Sequence, residues 1–198
     1  RSDYGIYRPL LKELSQWDDI DFGLYVMGSH FSEEKGYTHK EIKNDSFPIC
    51  EKVSIPLSST PHAIATSMGR VTILLSDIFK HSLPHLLITL GDRYEMHSAA
   101  LAAIPYRIPI AHIHGGELTY GAFDEVFRHS LTKISHLHFT STQDAANRLM
   151  RMGEEPWRVI VSGALALDTI LQAQFFSPEK VKEKYALDFS RPTFLITF

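Results

Sequence analysis

The chain has 198 residues, 44% of them hydrophobic and 22% charged, proportions that suit a globular α/β protein with a real core and exclude disordered and fibrous classes. A formal net charge of -3 leaves no electrostatic footprint for nucleic acid, and no Lys/Arg cluster marks an anionic membrane, so neither is an expected partner. The lone Cys50 excludes an internal disulfide framework and any all-cysteine metal site, and it fits a reducing compartment, with the cytoplasm as the expected location. No apolar run approaches the ~20 residues that cross a bilayer, and the opening residues do not read as a signal peptide.

In chain order, Arg1, Ser2 and Asp3 read as a polar turn leading into a helix over Tyr7 to Leu14, with a strand expected ahead of them. Phe22 to Met27 has a strand pattern, and a long loop is expected from Gly28, Ser29 and His30 to Asp45. That length suggests a functional loop. Ser58-Ser59-Thr60-Pro61 is a helix start, a capping hydroxyl before proline, and the helix should reach about His81. Pro84 to Leu90 is a continuous apolar run, as expected of a strand buried on both faces. Regular alternation follows: a helix over Glu95 to Ala103, a strand over Ile108 to Ile113, a helix over Phe123 to Ile134 and a strand over Leu137 to Thr140. A helix over Gln143 to Met152 and a strand over Val159 to Val161 complete it. Strand and helix alternating this way predict parallel βαβ units in a doubly wound parallel sheet of the α/β class. Gly163 to Gln174 reads as a helical connection. The closing Thr193 to Phe198 reads as the first strand of a second domain. The expected organisation is thus residues 1–163 as a Rossmann-like domain lacking its first strand, and 164–198 as a linker helix and the start of a truncated second domain.

Ligands of open α/β sheets bind beyond the carboxyl ends of the strands. Gly91-Asp92-Arg93 follows the most buried strand, so a carboxylate suited to proton transfer and a guanidinium suited to phosphate stand at that crevice. A turn with a local ion pair is the plainer alternative. His112-Ile113-His114-Gly115-Gly116-Glu117 ends the next strand, and its glycines permit positive φ or a close backbone approach to a ligand. Strand alternation puts His112 and His114 on one side, where Glu117 or His129 could complete a metal site. The His-x-His pair alone lacks the third ligand that specifies one, so no metal is expected. His112 reads as a hydrogen-bonded core histidine, and His114, beside the glycine turn, less so. On the following helix Asp124 and Arg128, and Glu125 and His129, have i,i+4 spacing and could be surface pairs, while Phe123, Val126, Phe127, Leu131 and Ile134 keep a helical apolar period. An anion near that helix start would gain from free N–H groups and the dipole. No nucleophile elbow, phosphate loop or Gly-x-Gly-x-x-Gly fingerprint occurs, and Cys50 has no positioned base nearby in sequence. Carboxylates and histidines at strand ends suit proton transfer.

With these residues in place the chain resembles the hydrolysing UDP-N-acetylglucosamine 2-epimerases of bacterial sialic acid and legionaminic acid synthesis. The likeness runs from Arg1-Ser2-Asp3-Tyr4-Gly5 through Met27-Gly28-Ser29-His30, Gly36-Tyr37-Thr38 and Gly91-Asp92-Arg93-Tyr94-Glu95. It continues through His112-Ile113-His114-Gly115-Gly116-Glu117 and Phe123-Asp124-Glu125-Val126-Phe127-Arg128-His129 to Leu137-His138-Phe139-Thr140-Ser141. The resemblance implies the N-terminal half of a two-domain glycosyltransferase-B-like fold with the site between the halves. It implies cleavage of UDP-N-acetylglucosamine to UDP and N-acetylmannosamine by elimination and hydration, with no cofactor, a nucleotide sugar as the small-molecule partner, and a homo-oligomer for the full-length form. The 198 residues alone are expected to be inactive.

Position by position, the resemblance matches Asp92 and Asp124 to catalytic acids and Arg1 and Arg93 to positions near the nucleotide. His30, Gly115, Gly116, Arg128 and His129 complete the expected substrate-binding set. Animal bifunctional relatives have glutamate where this chain has His114, so the acid/base role of that position falls to His114 or passes to Glu117. A further catalytic histidine and most uridine contacts of the family lie beyond Phe198. The alternatives are the sister activity on a GDP-linked diacetamido sugar, a non-hydrolysing epimerase, whose strand-end pattern differs, and a nucleotide-sugar-binding module without catalysis.

Overall fold

The structure, a computed structural model, describes residues 2–33, 36–56, 58–194 and 196. Helix α1 is Ser2–Leu14. It takes in Ser2 and Asp3, read from sequence as a turn, because Asp3 in the first turn complements the helix dipole. Arg1 lies outside the described residues. Strand β1 (Leu24–Met27) follows, then a 3₁₀ turn over Gly28–Phe31 and helix α2 (His39–Asn44). The polar stretch expected as a loop is therefore partly helical, anchored by buried His39 and Ile42. Strand β2 (Ile49–Val53) was not anticipated: its central residues Cys50, Glu51 and Lys52 are exposed, so it lacks the apolar run of an inner strand.

Helix α3 (Pro61–Phe79) begins as expected, with the Thr60 hydroxyl accepting from the Ala63 N–H at 3.3 Å, and buries Val71, Leu75 and Phe79 at helical spacing. Then come β3 (Leu87–Leu90), α4 (Tyr94–Ala103), β4 (Ile110–Ile113), α5 (Asp124–Ile134), β5 (Leu137–Thr140), α6 (Gln143–Arg151) and β6 (Val159–Val161). Each falls within a residue or a few of its expected place. Past β6 lie α7 (Ala166–Gln172) and α8 (Pro178–Tyr185), the second unanticipated; Ser177 caps it through the Lys180 N–H at 3.3 Å. Of the strand expected at the end, Thr193, Phe194 and Ile196 have no strand conformation, and Leu195, Thr197 and Phe198 lie outside the described residues.

All strand pairings are parallel. They form two sheets, β1-β2 and β3-β4-β5-β6, in place of the single sheet expected. Both rest on one core, in which Val53, Ile55, Tyr25 and Met27 pack with Val71, Phe79, Leu87, Ile110 and Leu131. Every residue of β4 is buried, so helices cover both faces, as a doubly wound arrangement requires. The register pairs Leu90 with Ile113, Ile113 with Phe139, and Thr140 with Val161. The carboxyl ends of β3, β4 and β5 consequently stop at nearly one level, which sets Asp92, His114 and Ser141 side by side in the crevice.

Two buried polar groups hold the layer under that crevice. His112, fully buried on β4, bonds the Gly91 carbonyl through Nε2 at 2.8 Å, and burial pushes its imidazole down to about 4. Glu154 is 4% exposed, with Lys133 Nζ at 2.6 Å, Arg158 Nη2 at 2.8 Å and His138 Nε2 at 3.2 Å. Burial alone would raise its carboxyl, but the three basic neighbours outweigh this and hold it below the usual glutamate range.

Glu154→Ala leaves buried His138 and partly buried Arg158 without their acceptor. Urea unfolding of this variant should show a loss of about 2–3 kcal/mol, below the 3–5 of a fully buried pair because half-exposed Lys133 returns to water. His112 gives a pH signature. Its folded-state value lies below that of the unfolded chain, so the unfolded state takes up the proton first; this contribution is complete above pH ~6.5 and is lost as pH falls toward 4, by about 2 kcal/mol at pH 5. His112→Asn should flatten the stability profile between pH 7 and 5 relative to the parent; an unchanged slope would assign the acid sensitivity elsewhere.

Candidate active site

Asp92 follows β3 through Gly91, whose φ of 73° is open to glycine at little cost. Its carboxylate lies 2.5 Å from Arg128 Nη2. Arg128, on α5, is only 6% exposed and reaches three parts of the crevice. Besides Asp92, its Nη1 donates to the His114 carbonyl at 2.7 Å and approaches Glu117 Oε2 at 3.5 Å, and its Nη2 donates to Thr119 Oγ1 at 3.3 Å. The i,i+4 partner expected from sequence, Asp124, is not its ion-pair partner. A guanidinium that must satisfy a turn carbonyl and two carboxylates has its stem turned inward, so Arg128 shares the buried face of α5 with Leu131 and Thr132. Phe123 and Val126, expected in the apolar period, are 56% and 70% exposed.

His114 stands one residue past β4 with φ 61°, so the alternation that would set its ring beside His112 has ended. Its N–H donates to the Phe139 carbonyl at 2.8 Å, and its Nδ1 lies 3.4 Å from Glu117 Oε1, while Nε2 has no partner among the described residues. Glu117 Oε1 also accepts from Ser141 Oγ at 2.6 Å. No group of three or more His, Cys, Asp or Glu fit for a metal occurs among the described residues. Gly115 and Gly116 pack against the protein itself: a Cβ at 115 would stand 2.9 Å from His112 Nδ1, and one at 116, where φ is 79°, 2.4 Å from the Ala145 carbonyl oxygen. The turn is thus pressed onto β4 and α6, and Arg148 also donates to the Gly116 carbonyl.

Asp124 opens α5. Burial first, and then the charge of Asp92, raise its carboxyl above the usual aspartate range, against lowering contributions from Arg93 and Arg128. It is therefore within electrostatic reach of the Asp92–Arg128 pair. His129 pairs with Glu125 at 3.4 Å as the spacing predicts. Arg93 is half-exposed, held by Glu95 at 3.1 and 3.3 Å, and lines a cavity of about 230 Å³ with Glu95 and His30. His30 bonds Thr38 Oγ1 at 2.9 Å, and burial lowers its imidazole. The crevice thus holds Asp92, His114, Glu117 and Arg128 in contact, Asp124 close by, Arg93 and His30 along a neighbouring cavity, and His129 one turn further along α5. Sequence reasoning did not single out Thr119, Ser141 or Glu95. Ser141 follows β5 directly, so the strand-end rule that pointed to Asp92 would have found it.

The model of the family described as UDP-N-acetylglucosamine 2-epimerase matches residues 12–198. A UDP-N,N'-diacetylbacillosamine 2-epimerase (hydrolyzing) of Legionella pneumophila is 39% identical over 95% of this chain and 50% of its own length. A GDP/UDP-N,N'-diacetylbacillosamine 2-epimerase (hydrolyzing) of Campylobacter jejuni is 35% identical over 100% of this chain and 52% of its own. The crystal structure of the UDP-GlcNAc 2-epimerase from Neisseria meningitidis bound to UDP-GlcNAc superposes with a TM-score of 0.76 at 21% identity, covering 94% of this chain and 48% of that one, which shows a shared fold. The chain spans about half the length of the curated relatives it matches. With a family model over most of its length and such relatives across nearly all of it, the chain belongs to the UDP-N-acetylglucosamine 2-epimerase family.

Proposed function

We propose that this chain supplies one wall of the active site of a hydrolysing 2-epimerase that converts UDP-N-acetylglucosamine and water to N-acetylmannosamine and UDP, a reaction that feeds sialic acid synthesis. The observation that carries this reading is the gathering of Asp92, His114 and Glu117 around one buried guanidinium, with Asp124 beside them at a helix start. Removing a proton from the sugar C2 while the C1–O bond breaks requires a base on one side and a stabiliser of the departing pyrophosphate on the other.

Asp124, whose carboxyl burial raises above the usual aspartate range, takes the C2 proton; UDP departs with the electron pair of the C1–O bond, leaving a glycal. Half-exposed Arg93 faces the departing phosphates. Water then adds its oxygen at C1 and releases one of its protons to solvent, as Asp124 releases the proton it took, while C2 receives a proton on the opposite face, which inverts that centre. His114 delivers this proton from Nε2 and is recharged from solvent, and Glu117, bonded to Nδ1, holds the ring in place. Asp92, fixed by Arg128, sets the charge against which Asp124 is tuned. No step needs a redox cofactor.

A second reading, UDP-N,N'-diacetylbacillosamine as substrate, is favoured by the names of the relatives at 39% and 35% identity. The two sugars share the 2-acetamido group and the C2–H bond, so the same wall serves both.

Two measurements test these readings in the full-length protein. Asp124→Asn and Asp92→Asn should each lower kcat at least ~100-fold with the fold intact by circular dichroism, and His114→Gln should cost more than Glu117→Gln; near-parental turnover in either aspartate variant would remove that residue from the chemistry. Supplied separately with UDP-N-acetylglucosamine and UDP-N,N'-diacetylbacillosamine, the enzyme should release UDP from the first at the higher kcat/KM. The reverse order would establish the second reading, and no free UDP from either would end both.

A further inference from the structure

The turn past β4 and the end of β5 meet in one contact that the proton transfers leave unused. Glu117 lies in an irregular segment, and among the described residues neither its N–H nor its carbonyl bonds another backbone group. Its place is therefore set by its carboxylate, which meets three groups. Ser141 Oγ donates to Oε1 at 2.6 Å, His114 Nδ1 stands 3.4 Å from the same oxygen, and Arg128 Nη1 lies 3.5 Å from Oε2. The Ser141 bond is the shortest. Arg128 is already engaged, since Nη1 donates to the His114 carbonyl at 2.7 Å and Nη2 meets Asp92. A long side chain that is 35% exposed gives up its rotamer freedom only where something holds it, and the Ser141 hydroxyl is that hold.

Ser141 itself stands on a fixed frame. It directly follows β5, whose last residue, Thr140, is fully buried and accepts the N–H groups of Ser162 and Gly163 through its carbonyl at 3.0 and 3.2 Å. Thr142, next in the chain, caps α6 by accepting from the Ala145 N–H at 3.2 Å. The His114 backbone is tied to the same strand through the Phe139 carbonyl at 2.8 Å. Hydroxyl and imidazole are thus carried by one rigid strand end, and Glu117 is the movable piece between them. The helix cap belongs to Thr142, and among the described residues Ser141 Oγ makes no other hydrogen bond that would give it a structural duty.

We propose that Ser141 is a positioning residue for the His114 imidazole, acting through Glu117: it pins Oε1 where that oxygen selects the Nδ1–H tautomer and leaves the Nε2 lone pair free. A carboxylate accepts and does not donate, so an imidazole beside it turns an N–H toward it and keeps the lone pair on its other nitrogen. Nε2, buried and without a partner among the described residues, is the nitrogen so freed. At 3.4 Å the contact to Nδ1 is loose and lasts only while Glu117 stays in place. The catalytic consequence rests on the proposed 2-epimerase reading, in which Nε2 takes a proton from solvent and hands it to C2; the grip on the ring does not.

The test uses the full-length protein and three readouts. In ring-nitrogen NMR spectra taken at pH about 9, above the ordinary histidine range, His114 should show a single Nδ1–H tautomer in the parent and in Ser141→Thr. Ser141→Ala should give a mixture shifted toward Nε2–H. With UDP-N-acetylglucosamine, Ser141→Ala should lower the rate of N-acetylmannosamine formation about 10-fold, with KM unchanged within about twofold. UDP, whose release depends on Asp124, should then form faster than N-acetylmannosamine, the difference being free glycal, and Ser141→Thr should restore both the rate and the equal yield. In a Glu117→Gln background Ser141→Ala should cost nothing further. A tautomer that Ser141→Ala leaves unchanged would overturn the proposal, as would losses that multiply when the two substitutions are combined, because Ser141 would then act by another route. A parent that releases no UDP would end the 2-epimerase reading, and the tautomer would by itself decide whether Ser141 sets the ring.

Discussion

The crevice depends on one buried cation. Arg128 is drawn from α5 into the layer because the chain presents it with a turn carbonyl and two carboxylates that no other side chain among the described residues reaches together. A guanidinium suits this position because its planar fork serves several acceptors at fixed angles. Remove that centre and Asp92, past β3, loses its common reference with His114 and Glu117, both in the turn past β4.

What the cation organises, the sheet places. Parallel pairing with matched carboxyl ends puts residues distant in sequence at neighbouring points of one edge. Pressing the Gly115–Gly116 turn onto His112 below and Ala145 beside it then fixes where the His114 imidazole can go. The electrostatic consequence reaches Asp124, whose carboxyl feels both burial and the Asp92 charge. Site chemistry and layer packing are coupled here through short range contacts, with His112 serving both, as a core residue bonded to Gly91 directly before Asp92.

The inner elements were legible because burial writes itself into sequence. The run ending at Leu90, the small residues of α4 and the Thr60-Pro61 start of α3 each have one strong local cause. β2 was not legible, since exposed Cys50, Glu51 and Lys52 carry no apolar pattern, and neither was the break in the sheet, which is a matter of pairing between distant strands. Within the site, Asp92 and the His114 turn could be found from strand-end position. The partner of Arg128 could not: helical spacing offered Asp124, but burial and tertiary geometry chose Asp92. The same override explains why Val126 faces solvent while Arg128 does not.

The positive φ of His114 also sets two demands against each other. A left-handed backbone at a residue with a Cβ costs on the order of 1 kcal/mol that glycine would not incur. Stability alone would therefore make this a third consecutive glycine, smoothing the turn and silencing its imidazole. The chain instead keeps a strained residue at the point of the turn where its imidazole lies 3.4 Å from Glu117, a contact that glycine could not make.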